Sequence, residues 1–155
     1  MNEMQQFLNE EFIPLMRMLR ADAKPRWGKM NAQQMAEHML DFFMVSTGKK
    51  HFPLVSPLEH MPKLRAFLRS DKQFRENTKA PETILGDEPA PVRFESLVQS
   101  LDELETEVRY FFDLYRKNPR LTAIHPVFGE LDFDDWVRLH YKHVTHHLRQ
   151  FALLS

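Results

Sequence analysis

Proline placement constrains this chain more than any other feature. The ten prolines gather at Pro53, Pro57 and Pro62 and again at Pro81, Pro89 and Pro91, with isolated ones elsewhere. Proline cannot donate to a helical ladder and its ring clashes with the preceding turn, so helices can run only through the long intervals it leaves free. In those intervals apolar residues recur at i, i+3, i+4 and i+7, and no alternating apolar/polar run is long enough to make a convincing sheet. The four glycines, Gly28, Gly48, Gly86 and Gly129, each stand beside a break in that pattern. The expectation is an all-α chain with strand content near zero.

Four long helices follow from the periodicity. The first is predicted over about residues 2–21, with Met4, Phe7, Leu8, Leu15, Met18 and Leu19 on one face and Pro14 kinking or breaking it. The second starts after Asn31, where Gln34 completes a capping box, and ends about Thr47 at Gly48. The third carries Leu97, Leu101, Leu104, Val108, Phe111, Phe112 and Tyr115 within roughly 100° of arc and ends before Pro119. The fourth begins near Asp132 or Asp134 and continues to about Leu154. Together they suit a four-helix bundle, a single domain over 1–155. Between helices two and three lies an insertion: a short helix signalled by Ser56, Pro57 and Glu59 that restarts at Pro62 and runs through Leu64, Phe67 and Leu68. Residues 71–91 follow as a polar, Pro-rich surface connection of the kind that often covers a site.

Composition narrows the function. Lysine and arginine (21) balance aspartate and glutamate (22), so no basic excess favours nucleic acid. With zero cysteines, thiolate metal sites, disulfide scaffolds and cysteine nucleophiles are excluded, and any metal must be held by His, Asp or Glu. The polar, acidic start MNEMQQFLNEEF and the lack of a long apolar run lead to the expectation of a cytoplasmic protein with no membrane partner.

Chemistry concentrates in the last helix, where LHYKHVTHH holds His140, His143, His146 and His147. At 100° per residue, His143 lies about 60° and His147 about 20° from His140, on the stripe shared with Trp136 and Phe151. Arg138, Lys142, Thr145 and Arg149 fall on the opposite side, and His146 on the flank. Several inward imidazoles are costly unless their ring nitrogens are paired, and a divalent cation pairs them. His143 and His147, one turn apart, are a ligand pair, and His38 on the inward face of the second helix is the third. Three imidazoles with open coordination positions form a catalytic pattern, suited to Zn, Ni, Fe or Mn, in which bound water is acidified toward a pKa near 7.

Asp41, one turn from His38, could orient an imidazole, act as a weak fourth ligand or pair with a neighbour. His140 could be a ligand or a cavity residue, and Asp41 and His140 are the candidates for moving a proton. Glu11 reads as a solvated edge and His146 as a packing or interface residue. His51 and His60 carry no usable signal. A non-catalytic protein holding a metal or a small apolar ligand, and a metal-free hydrogen-bonded histidine core, are the competing readings.

The motifs W-G-K-M-N-A-x-x-M-A-E-H-M-x-D at 27–41, H-P-V-F-G-x-L at 125–131 and H-x-x-H-H-x-x-Q at 143–150 resemble the DinB/YfiT-like superfamily. Most of the chain is covered, but residues 49–91 diverge too far to align. The resemblance implies a down-up-up-down four-helix bundle with a long crossover, often a homodimer, and a triple-histidine metal site matching His38, His143 and His147. It also implies a small-molecule substrate. Relatives in that superfamily include mycothiol-dependent maleylpyruvate isomerase and bacillithiol transferases, so the expected activity is a metal-dependent hydrolase or a transferase using a low-molecular-weight thiol. The alternative is a non-catalytic stress-response binding protein, since the superfamily is named for induction by DNA damage in one member. That name implies no DNA binding.

Overall fold

A computed structural model describes residues 1–78 and 88–155. The chain is predominantly helical, with α1 (Glu3–Gln6), α2 (Phe12–Met16), α3 (Ala32–Ser46), α4 (Met61–Arg69), α5 (Leu97–Lys117) and α6 (Phe133–Gln150). It also contains one two-stranded sheet, β1 (Ala123–His125) and β2 (Gly129–Leu131). Among the described residues, no helix is long and apolar enough to cross a membrane.

The first helix ends earlier than its apolar pattern predicts, at Met16, and a π-helical turn interrupts it ahead of Pro14. Proline at position 14 has no N–H for the carbonyl of Glu10, and its ring crowds that carbonyl. One turn ahead of it, Phe7–Glu11 adopts a π-helical turn in which the N–H of Phe12 donates to Phe7 O. The extra residue in that turn carries the rod past the proline. Leu8, Phe12, Ile13 and Met16 consequently face the core, and Met18, placed on the apolar stripe from sequence, is exposed.

The other long helices keep their expected bounds within a few residues. Asn31 and Gln34 form the reciprocal capping box of α3, and Gly48, at φ +79°, follows its C-cap Thr47. Ser96 caps α5, whose Leu101, Leu104, Val108, Phe111 and Tyr115 are buried. Asp132 caps α6, which closes at Gln150 rather than running on to Leu154. α3 packs most extensively on α5, and α6 lies against α3, α4 and the N-terminal rod.

The hairpin adds two three-residue strands to a chain expected to have strand content near zero. Three-residue strands are too short to show alternation, and the signal lay in the turn. Pro126, Val127 and Phe128 form the loop, and Gly129 takes φ +81°, the left-handed position that ends a three-residue hairpin loop. His125 Nδ1 accepts the N–H groups of Val127 (3.0 Å) and Phe128 (3.3 Å), which closes the turn.

The insertion behaves as read: a 3-10 turn at Leu58–His60 leads into α4 with proline in its first turn. Of the 71–91 connection, residues 79–87, with Pro81 and Gly86, lie outside the described residues. Its two described legs are tied to the helices that carry the histidines. On one side Lys142 Nζ of α6 donates to Ser70 O (2.6 Å) and to Lys72 O. On the other, Gln34 Nε2 of α3 donates to Ala90 O at 3.1 Å, and the Glu37 carboxylate accepts from the Arg93 N–H at 2.7 Å.

Candidate metal centre

α3 and α6 bring the three predicted ligands together. His38 Nε2 and His143 Nε2 lie 2.9 Å apart, and His147 Nε2 is 3.1 Å from His143 Nε2. One nitrogen from each of the three imidazoles falls within 4.8 Å of the others. His38 and His143 are partly buried and His147 is buried. The i, i+4 spacing of His143 and His147 stacks them one turn apart on α6, and His38 meets them from the facing turn of α3.

Proton counting shows what this arrangement lacks. His147 Nδ1–H donates to Gln150 Oε1 at 2.7 Å, while Gln150 Nε2 donates to the carbonyl of Trp27 at 2.8 Å. The amide is thereby oriented, and the proton of a neutral His147 stands on Nδ1, leaving the Nε2 lone pair aimed at His143. His143 Nε2 touches two nitrogens but can share only one proton between itself and either of them. In the neutral state at most one of the two N···N contacts can therefore be a hydrogen bond, and the other leaves a ring nitrogen unsatisfied. Burial, with the neighbouring imidazoles, pushes His143 well below the ordinary imidazole value. Burial does the same to His147, and it lowers His38 to about 4 against the pull of Asp41. Protonation is therefore a poor remedy near neutrality. Two of the three separations suit a divalent cation. Two nitrogens each about 2.0–2.1 Å from one ion stand roughly 2.9–3.4 Å apart at angles between 90° and 110°, which spans both observed separations.

Gln150 was not singled out from sequence, although it closes the H-x-x-H-H-x-x-Q spacing. A hydrogen-bonded partner that fixes a ligand's tautomer is part of most metal sites. Its seat depends on Gly28. That residue has φ +81°, a conformation that favours glycine, and a Cβ there would stand 2.9 Å from Gln150 Nε2 and push the amide from its place.

The two proton-transfer candidates separate from the triad. Asp41 lies one turn from His38, but its Oδ1 accepts from Lys50 Nζ and Arg93 Nη2, each at 2.7 Å, and its Oδ2 from Arg93 Nη1 at 3.1 Å. Pairing with neighbours, one of the readings left open by sequence, describes its contacts. His140 lies deeper. Its ring stacks on Phe43 (centroids 3.8 Å, 9°), and Phe111 and Trp136 complete the aromatic box. Ser46 Oγ donates its one hydrogen to Phe43 O (2.7 Å), so His140 Nε2–H donates to Ser46 Oγ at 2.8 Å. Burial holds this imidazole far below its ordinary value.

His146 is a packing residue inside the subunit. Its ring lies between Trp27 (5.3 Å) and Phe74 (5.9 Å), and the backbone carbonyl of Phe74 accepts from it. Glu11 is exposed, as expected of a solvated edge. Glu37, which sequence reasoning passed over, is a buried carboxylate that accepts from Gln33 Nε2, the N–H of Arg93 and Ser100 Oγ. Burial alone would raise its pKa, and these donors outweigh burial and hold it below the ordinary carboxylate value.

The triad opens on a cavity of about 1260 Å³ walled by Phe42, Phe67, Phe74, Phe128 and Trp136. Apolar walls around a few convergent polar groups are the usual form of a small-molecule site. Comparison with family models, with curated proteins and with solved structures returns no match to this chain.

Proposed function

We propose that this chain is a divalent-metal-dependent enzyme of the hydrolase or thiol-dependent S-transferase type, built on a DinB/YfiT-like four-helix bundle, with His38, His143 and His147 as metal ligands. One observation carries the reading: three imidazole nitrogens converge where at most one of their two close N···N contacts can be a hydrogen bond, in a site where burial keeps the imidazoles neutral. A bound divalent ion supplies Lewis acidity to a water, a thiol or a carbonyl oxygen in an open coordination position. The chain's own groups define the rest. Gln150 orients the His147 ring, and the aromatic walls exclude water from the reacting end of a small-molecule substrate. Arg93 and Lys50 hold Asp41 as an ion-paired carboxylate at the cavity edge, where release from either cation would free it to accept a proton. A homodimer belongs to the same reading.

Elemental analysis of protein purified without a histidine tag is the test. About one equivalent of metal per chain, or a rise in melting temperature on adding Zn²⁺, Ni²⁺ or Mn²⁺, is the expected result. Neither metal nor a thermal response would reject it in favour of a metal-free histidine core. Stoichiometric metal without turnover of any ester or electrophile would leave a binding protein in its place.

A further inference from the structure

His125 stands apart from the triad and has a ring edge that the fold does not use. It is 8 % exposed, and its Nδ1 accepts the N–H groups of Val127 and Phe128. An imidazole whose Nδ1 accepts and which is neutral carries its proton on Nε2. Burial lowers its pKa to about 3, so it stays neutral through the physiological range. Nε2 finds no partner among the described residues, yet it is not one of the sealed-off unpartnered nitrogens, and the ring lines the cavity that holds the triad. The ring cannot easily turn away. Phe42 stacks on it (5.7 Å, 28°), Phe128 and Trp136 flank it, and the hairpin turn holds its other edge. Phe42 in turn touches His38 (5.1 Å) and His143 (5.2 Å), so a single phenyl ring bridges His125 and the ligand histidines.

We propose that His125 is a ligand-recognition residue whose Nε2–H is a fixed donor to the carbonyl-type oxygen of an apolar-bodied small molecule seated at the histidine triad. This rests on the metal reading above and adds a substrate class: a compound with a metal-binding end, an apolar body and a carbonyl or carboxylate oxygen. Turn closure alone does not account for the residue, because it uses only Nδ1. Because Nε2 opens on the cavity, its hydrogen is available to an acceptor that enters there. The donor is held in place before the ligand arrives, which is the condition for selecting an acceptor by position.

His125→Asn separates the two roles, since an asparagine side-chain oxygen can accept the same turn N–H groups while the Nε2 donor is lost. The probes are 4-phenylimidazole and its ortho-, meta- and para-acetyl derivatives, titrated calorimetrically into the zinc-loaded full chain. At least one acetyl isomer is expected to bind the wild type about 3- to 10-fold more tightly than the variant, as for one neutral hydrogen bond, with 4-phenylimidazole binding both alike. Equal ratios for all four probes would overturn the proposal, as would no probe binding to zinc-loaded wild type. Failure of the wild type to retain zinc sinks the metal reading and this proposal together, whereas retained zinc with equal ratios sinks this one alone. A long-range ¹⁵N spectrum of the metal-free wild type, independent of the variant's folding, must show the His125 proton on Nε2; a proton on Nδ1 ends the argument.

Discussion

Two turns of the same helix hold buried histidines and treat them in opposite ways. At His140 the ring nitrogen meets a hydroxyl, and the hydroxyl passes its hydrogen to a backbone carbonyl, so every proton has an acceptor. At His143 and His147, joined by His38, nitrogen meets nitrogen and the count does not close. His140 is almost wholly buried and His38 and His143 only partly so, yet burial depresses the imidazoles in both regions. Partner chemistry, rather than burial, therefore distinguishes a core histidine from a candidate ligand. A serine opposite an imidazole completes its hydrogen bonding, and a second imidazole does not.

Substitution can break that contrast. His143→Ala and His147→Ala are each expected to abolish stoichiometric metal binding by elemental analysis and to remove the thermal response to added zinc. His140→Ala should leave one metal per chain and lose about 3 kcal/mol of stability in urea titration, through a cavity beneath Phe43 and an unpaired Ser46. Equal metal loss in all three would dissolve the distinction between the two regions.

Smaller effects sharpen it. Gln150→Ala should weaken zinc affinity about 10- to 100-fold, the usual range for a partner that orients a ligand, with stoichiometry intact when zinc is in excess. The pH dependence of the metal-free protein has a definite sign. His38 falls from the ordinary 6.5 to about 4 on folding, and His143 and His147 also fall, so below pH 6.5 the unfolded chain binds more protons than the folded one. Stability should be full above that pH and decline as pH drops toward 4, and saturating zinc should shift the decline to lower pH; a flat melting profile from pH 7 to 4.5 would contradict it. His146→Ala should change least, retaining metal and costing about 1 kcal/mol from the contacts with Trp27 and Phe74, measured by thermal melting.

Much of this was legible in the chain. The capping box at Asn31 and Gln34, the stop at Gly48, the stripe of Leu101, Leu104 and Phe111 and the inward set 38/143/147 are local patterns, and helical geometry alone decides which side chains share a face. The signals that failed were also local. The π turn ahead of Pro14 shifted the register that exposes Met18, and the β1–β2 strands were too short to show a period. Gln150 and His125 were visible in the motifs without a stated task, because a hydrogen bond to the Trp27 carbonyl or a cap on a hairpin turn depends on where distant backbone arrives.

Periodicity and punctuation thus determined which residues are helical, which faces are apolar and which imidazoles point inward, since those follow from the backbone repeat. Only the tertiary structure decided what each imidazole meets: Ser46 for His140, two turn amides for His125, Gln150 for one edge of His147, and other imidazoles for the triad. Those partners come from elements separated along the chain, and whether a buried ring nitrogen is satisfied depends on the atom across from it.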